Sequence, residues 1–262
     1  MMEGTILVTG ASRGIGRAIA MLFGRRGRNV AVCFRSAYAA AADVVQAINA
    51  TRGRACAFQV DLSEPSQCEQ LVGRVERELG TVSVLINNAG IVPRGALTTI
   101  SLDEAVNAIA VNVLAPLMLI REVVQPMATR GSGHIVNVGS LHGLVSVSGM
   151  VLYSLSKAAL HMLTKTAAIE LGPLGIRINC VVPGMVATER IVAALRRGAC
   201  ESSFVERIPA GRLVAPEEVA EVVAFLCSPE AAQINGALIV IDGGQTCVAN
   251  LPSWPPGSWE SE

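Results

Sequence analysis

Short runs of apolar, β-branched residues alternate along the chain with longer stretches in which apolar positions recur every three to four residues. Thr5–Thr9, Asn29–Phe34, Ala55–Val60, Val84–Asn87, His134–Val138, Arg177–Val182 and Leu238–Ile241 carry the first pattern and are predicted strands. Ile15–Arg26, Ala37–Thr51, Glu64–Leu79, Leu102–Met127, Met150–Leu171 and Pro216–Cys227 carry the second and are predicted helices. Ser101 ahead of Asp103-Glu104 suits an N-cap, and Pro216 suits a first-turn position. Strands separated by helices run parallel, because each crossover returns the chain to the same edge. Several strands are apolar at every position, as expected where helices cover both faces of a sheet. The expected fold is therefore α/β: a doubly wound, parallel, seven-stranded sheet flanked by helices in a single domain.

Composition supports a large core and narrows the partners. Of 262 residues, 51% are hydrophobic and 16% charged, which excludes a disordered or collagen-like chain. The 21 Lys+Arg residues cancel the 21 Asp+Glu, and no basic run is interleaved with aromatics, so nucleic acid is not an expected partner. The apolar stretch Ile109–Ile120 is interrupted by Asn112 and Pro116 and is too short to cross a bilayer, and the N-terminus lacks a secretory pattern. No membrane partner is expected, and the expected location is cytoplasmic. Cys33, Cys56, Cys68, Cys180, Cys200, Cys227 and Cys247 show no C-x-x-C or zinc spacing, and His134 and His161 stand isolated. Reduced cysteines and no metal site are expected.

Thr9-Gly10-Ala11-Ser12-Arg13-Gly14-Ile15-Gly16 follows the first strand and opens the first helix. That is the context of a Rossmann-like, dinucleotide-binding turn. Gly10 permits the sharp turn, Gly14 lets the backbone approach a pyrophosphate, and Gly16 allows close helix packing, while the helix N-terminus favours the anion. The second strand ends in Val32-Cys33-Phe34-Arg35-Ser36, with no acid to meet a ribose hydroxyl. Arg35 together with Arg13 suits a 2′-phosphate, so NADP(H) is preferred and NAD(H) remains open. Asp61, at the end of the third strand, suits either the adenine amino group or the turn before Ser63-Glu64. Asn87-Asn88-Ala89-Gly90 after the fourth strand suits close approach of chain and cofactor, and is equally ordinary turn chemistry.

The chain holds two lysines, Lys157 and Lys165, and two tyrosines, Tyr38 and Tyr153. Tyr153 and Lys157 lie one helical turn apart and share a face. Chance supplies that order and spacing in about 4 of 262 shuffled chains, so the pairing is informative. A cation near a phenol favours the ionised form; at about 6 Å and an effective dielectric near 20 the attraction is roughly 3 kcal/mol. Tyr153 would thereby serve as general acid in carbonyl reduction and as general base in alcohol oxidation, with Ser140 polarising the same oxygen.

Thr9-Gly10-x-x-x-Gly14-x-Gly16, Asn87-Asn88-Ala89-Gly90, Ser140, Tyr153-x-x-x-Lys157 and Pro183-Gly184 followed by Thr188 resemble, in order and spacing, the short-chain dehydrogenases/reductases, over roughly residues 4–246. The likeness is greatest to the 3-oxoacyl-[acyl-carrier-protein] reductases and bacterial-type carbonyl reductases. The resemblance implies a dinucleotide-binding catalytic domain over 1–246, with a cofactor half at about 1–140 and a substrate and lid half at about 141–246. The Pro- and Trp-containing tail, 247–262, is expected to be irregular. The resemblance assigns catalysis to Ser140, Tyr153, Lys157 and Asn112, the last holding a water that links Lys157 to solvent. It assigns the cofactor to Gly10, Ser12, Arg13, Gly14, Ile15, Gly16, Arg35, Asp61, Leu62, Asn88, Ala89, Gly90, Tyr153, Lys157, Pro183, Gly184, Val186 and Thr188. It assigns the substrate to Ser140, Leu141, His142, Tyr153 and Met185, and it implies a homotetramer.

Carrier-protein reductases of this kind resemble one another in basic residues near the segment matching Ala128–Gly133 and just before the strand matching Arg177–Val182. Arg130 matches the first, but Leu174 stands at the second, so acyl carrier protein is a doubtful partner. The loops Ile91–Thr99, Leu141–Gly149 and Thr188–Pro209 follow strand ends on the cofactor side and are expected to form pocket and lid. Their side chains, with Val92, Leu141, Val145, Met150 and Met185 among them, are mainly apolar. The expected activity is NADP(H)-dependent hydride transfer to a small-molecule ketone with a hydrophobic body, such as a 3-oxoacyl thioester. The alternatives are a sugar, polyol or steroid-type alcohol dehydrogenase, or a nucleotide-binding regulatory protein without turnover.

Overall fold

A computed structural model describes residues 4–196 and 205–248. The strands are β1 (Thr5–Val8), β2 (Asn29–Phe34), β3 (Arg54–Gln59), β4 (Val82–Asn87), β5 (Gly133–Val138), β6 (Ile176–Pro183) and β7 (Leu238–Ile241). They form one sheet in the order β3-β2-β1-β4-β5-β6-β7, every pair parallel. The chain winds outward from β1 in one direction and from β4 in the other. The β1/β4 junction is therefore the topological switch point, and a crevice opens at its carboxyl end.

Helices α1 (Gly14–Arg25), α2 (Tyr38–Asn49) and α8 (Pro216–Leu226) cover one face, and α3 (Pro65–Leu79), α5 (Ala115–Arg130) and α6 (Val151–Leu171) cover the other. Strand residues alternate between the two cores: Ile6, Val8, Val30 and Val32 face α1 and α8, while Leu7, Ala31 and Cys33 face α3 and α5. That alternation explains runs apolar at every position, because both faces of each central strand are dry.

The predicted helix over Leu102–Met127 is not continuous. It divides into α4 (Leu102–Ile109), a π-helical turn (Ala110–Leu114) and α5, which ends on Gly131 at φ 62°. Ser101 caps α4 through a capping box: its Oγ accepts from the Glu104 N–H at 3.2 Å, and the Glu104 carboxylate accepts from the Ser101 N–H at 3.0 Å. The run Leu102–Arg130, 29 residues containing an 18-residue window with a mean hydropathy of 1.5, is long and apolar enough to cross a membrane. Part of its apolar surface packs in the core, through Leu119, Val123 and Met127 at 0% exposure, while Leu102, Val106, Leu114 and Leu117 stay exposed. The expected lid loop opens with a short helix, α7 (Glu189–Arg196). Gln245–Cys247 form a one-turn 3₁₀ helix, and the rest of the expected irregular tail from residue 249 lies outside the described residues, as does Cys200.

Candidate active site

The glycine turn is held by the end of β4. Thr9 Oγ1 accepts from the N–H groups of Asn88 and Ala89, both at 3.0 Å, and the Asn88 amide donates to the carbonyls of Thr9 at 2.9 Å and Gly10 at 3.2 Å. Gly10 takes φ 63°, which favours glycine. A Cβ on Gly16 would lie 2.3 Å from the Gly10 oxygen and 2.4 Å from the Asn88 Nδ2. Gly16 is thus required by packing, and its place is behind the turn.

A crevice of about 340 Å³ runs along the switch point, lined by Gly10, Ser12–Ile15, Phe34, Arg35, Asp61, Leu62, Asn88–Ile91 and Thr188. Gly16, Tyr153, Lys157, Pro183, Gly184 and Val186, expected to touch a cofactor, are not among the residues that line it. Pro183 ends β6, Gly184 donates to the Ile241 carbonyl at 2.9 Å, and Val186 bridges to Val214 and is buried. Arg13, Arg35 and Arg190 bring three cations to the crevice, and the first turn of α1 contains no acid. A carboxylate from elsewhere occupies that end: Glu189 Oε2 accepts from the Gly14 N–H at 3.1 Å. Asp61 Oδ1 accepts from the Ser63 hydroxyl at 2.7 Å and the Ser63 N–H at 3.0 Å. The Ser63 hydroxyl, then its N–H, and more weakly Arg35, hold the Asp61 carboxyl below its ordinary range, against the opposing effect of burial. The turn-capping alternative for Asp61 is therefore realised, on a residue that also lines the crevice.

Tyr153 and Lys157 both lie on α6. Lys157 is 4% exposed, donates from Nζ to the Val138 carbonyl at 2.7 Å, and lies 5.8 Å from the Tyr153 ring centroid. A Cβ on Gly90, which lines the crevice, would lie 3.6 Å from that Nζ and 3.2 Å from Asn112 Oδ1. The ammonium therefore lies against Gly90, a residue of the crevice lining. Ser140 follows β5, and its Oγ accepts from the His142 N–H at 3.2 Å, capping the 3₁₀ turn Leu141–Gly143. The His142 ring meets the Tyr153 ring edge-on at 6.0 Å. Burial, and to a smaller extent the Arg94 cation, lowers the His142 pKa against a raising contact with the Val145 backbone. Of the expected substrate residues, Leu141 turns inward at 7% exposure, and the Met185 carbonyl accepts from the Val214 N–H.

Asn112 is held by its side chain. It sits in the π turn, 1% exposed, with Oδ1 accepting from the Ile91 N–H at 2.9 Å. Nδ2 donates to the Ile91 carbonyl at 2.9 Å and to Ser156 Oγ at 3.0 Å. Both amide hydrogens are spent on protein, so the side chain pins the loop after β4 to α6.

Two features escaped the sequence reading. His161, one turn beyond Lys157, is 4% exposed, and burial followed by the Lys157 charge pushes its pKa down to about 4, against a raising contact with the Gly143 backbone. Its ring packs beneath the Ser140 turn: a Cβ on either Gly139 or Gly143 would come within 2.4 Å of a ring atom. A buried polar chain also runs behind the site, from Asn87 to Asn137 at 2.9 Å and from Asn137 to Thr164 at 2.9 Å. The signal available in sequence was an Asn near the carboxyl end of each of two largely apolar strands.

With this geometry in hand, comparison with known proteins is informative. Residues 10–246 match the family model described as enoyl-(acyl carrier protein) reductase. The chain belongs to the short-chain dehydrogenase/reductase family. It is an oxidoreductase of that family. Among its relatives, the L-rhamnose 1-dehydrogenase (NAD(P)(+)) of Sphingomonas sp. is 36% identical, covering 93% of this chain and 97% of the relative. A 3-oxoacyl-[acyl-carrier-protein] reductase FabG of Staphylococcus epidermidis is 35% identical, covering 93% and 99%. The crystal structure of a candidate NAD(P)-dependent gluconate 5-dehydrogenase from Beutenbergia cavernae, with NADP at low occupancy, matches with a TM-score of 0.86 at 32% identity, covering 94% and 97%. The seven-stranded, doubly wound sheet of this short-chain dehydrogenase/reductase fits that likeness throughout.

Proposed function

We propose that the protein transfers hydride between NADP(H) and a ketone or secondary alcohol with a hydrophobic body. The observation that carries this reading is Lys157, which spans from the Val138 carbonyl to the crevice wall at Gly90 and lies 5.8 Å from the Tyr153 ring. The crevice fits a dinucleotide: the positive-φ Gly10 turn, the acid-free first turn of α1 and the paired cations Arg13 and Arg35 suit phosphates. When bound, the nicotinamide supplies or accepts the hydride. Tyr153 donates its hydroxyl proton to the carbonyl oxygen in reduction and takes the alcohol proton in oxidation, while Ser140 Oγ holds the same oxygen. Lys157 lies on the same helix face, beside the phenolate formed on proton transfer.

The substrate preference rests on this chain's own loops, since its relatives are named for a sugar, a sugar acid and an acyl thioester. Leu144, Val145 and Val147 leave about half of each side chain exposed on the segment between Ser140 and α6, which favours an apolar ketone over a free sugar. Carrier-bound thioesters are a weaker reading, because Arg130 donates to the Val82 carbonyl at 2.8 Å and Leu174 supplies no second cation. Exposed Leu117, Leu155, Met162 and Ile169 on α5 and α6, with Phe225 on α8 and Val240 on β7, offer two faces for self-association into a tetramer. The six described cysteines are free thiols, which suits a cytoplasmic location.

Replacement of Tyr153 by Phe tests the mechanism. Turnover in an NADPH-oxidation assay over cyclic ketones, diketones and 3-oxoacyl thioesters is expected to fall about 10²–10⁴-fold, with NADPH binding retained. Unchanged turnover would remove Tyr153 from the reaction.

A further inference from the structure

We propose that His161 is a positioning residue for the reaction: its ring is the seat on which the Ser140 turn rests, and it fixes where the Ser140 hydroxyl meets the substrate oxygen. The inference rests on the ketone-reductase reading and adds to it a side chain that acts only through Ser140. Tyr153, Lys157 and His161 follow one another at four-residue steps along α6, so the third shares a helix face with the first two. Lys157 Nζ is held by the carbonyl of Val138, just before the turn begins, and the imidazole lies beneath the turn itself.

Ser140 stands between two glycines, and one ring approaches both. At Gly139 a Cβ would lie 2.4 Å from His161 Nε2 and 2.7 Å from Cys180 Sγ. At Gly143 it would lie 2.4 Å from His161 Cε1, 2.7 Å from Nδ1 and 2.9 Å from the Lys157 carbonyl carbon. Neither glycine takes a positive φ, so backbone conformation does not call for glycine at either position; close approach to α6 and β6 does. The Gly139 N–H donates to the Val181 carbonyl at 2.8 Å, which ties the start of the turn to β6, and the Gly143 N–H donates to the Ser140 carbonyl at 2.9 Å, which closes it. Within this frame Ser140 Oγ accepts from the His142 N–H and keeps its own hydrogen to donate to a substrate oxygen.

Hydrogen bonding does not account for an imidazole at this place. The ring is 4% exposed, and neither nitrogen makes a hydrogen bond, although Nδ1 lies beside Gly143. An unpaired buried polar group is unfavourable, and an apolar side chain of the same shape would be the more stable choice. What the ring supplies is a flat body that both glycines can approach, uncharged beside Lys157 because burial opposes its protonation.

The test is a double-mutant cycle in the full chain, assayed by NADPH oxidation with the ketone that the wild-type protein reduces fastest. His161→Ala is expected to lower kcat about tenfold where Ser140 is present and less than about twofold in the Ser140→Ala background, with NADPH affinity by fluorescence titration unchanged in both. His161→Leu, which keeps bulk but not flatness, is expected to behave alike and serves if the truncated variant does not fold. Equal losses in the two backgrounds, a parallel loss of NADPH affinity, or full kcat in both His161 variants would overturn the proposal. Amide hydrogen exchange reads the seat without turnover. The Gly143, Leu144 and Val145 N–H groups, which close the turn, should exchange at least about tenfold faster in His161→Ala while the amides of β5 and β6 stay protected; unaltered exchange would likewise overturn the seat. A wild-type protein that reduces no ketone, with the exchange result as expected, would instead overturn the reductase reading and leave the seat in place.

Discussion

The carboxylate of Glu189 accepts a hydrogen bond from the backbone N–H of Gly14 at 3.1 Å, so the first residue of α7 is seated on the first residue of α1. An acid at a helix N-terminus stabilises that end by about 0.3–1 kcal/mol, and a dinucleotide phosphate would favour the same place. Glu189 therefore competes with the cofactor. Glu189→Gln is expected to tighten NADPH binding about two- to fivefold, by fluorescence titration, while lowering the melting temperature of the cofactor-free protein. Equal or weaker NADPH binding would show that Glu189 leaves the seat at no cost.

Cofactor choice is expected to follow Arg35. A charge-assisted hydrogen bond contributes about 1.5–3 kcal/mol, so Arg35→Asp should lower kcat/KM for NADPH about 10- to 100-fold. The new carboxylate suits ribose hydroxyls, so kcat/KM for NADH should hold or rise. A parallel fall with both cofactors would place Arg35 outside 2′-phosphate recognition.

The Ser140 turn is expected to be intolerant of a single methyl group. Gly143→Ala would put Cβ 2.4 Å from His161 Cε1 and 2.9 Å from the Lys157 carbonyl carbon. Overpacking of this kind costs about 1–3 kcal/mol, read as a shift in denaturation midpoint, and displaces Ser140. kcat should fall more than NADPH affinity. Adding His161→Ala removes one of the two obstacles and should recover part of the stability, which a clash with backbone alone would not allow.

Stability should fall on mild acidification. His161 is held neutral in the folded protein, with its pKa pushed down from 6.5 to about 4. Above pH 6.5 the unfolded chain binds no extra proton there, and full stability is present. As pH falls from 6.5 towards 4 the unfolded state takes up a proton that the folded state refuses, so stability is lost across that window. From pH 7 to 5 the loss is about 2 kcal/mol for His161, by urea denaturation. Half-buried His134, likewise held at about 4 by burial and then by Arg177, adds a smaller loss because solvent screens it. His161→Leu should flatten the profile; an unaltered pH dependence would assign the loss to other groups.

What could be foreseen from the chain was what depends on near neighbours. Gly10 to Gly16 is a turn whose chemistry is local, and Tyr153 and Lys157 share a face whenever their segment is helical. Strands buried on both sides announce themselves by uninterrupted apolar runs, as at Val30–Cys33. What escaped depends on distant contacts. Nothing around His161 signals that two glycines some twenty residues earlier would close over its ring, and nothing around Glu189 signals Gly14. The π turn escaped because Ala110–Leu114 continues the helical pattern of its flanks, while the amide pairing of Asn112 with Ile91 is tertiary.

The π turn also makes the chain unusually sensitive to its own length at one spot. An α-helix rotates about 100° per residue, and the wider turn at Ala110–Leu114 accommodates an additional residue between α4 and α5. Deleting Val113 would let the two segments join as one regular helix, and with α5 fixed by Leu119 and Met127, α4 would swing around the axis. Asn112 would then point elsewhere, and the strap from Ile91 to Gly95 would lose its anchor, although every residue of the proposed reaction centre would still be encoded. A loss of three nucleotides at that point could silence the enzyme more thoroughly than many amino-acid replacements nearer the nicotinamide.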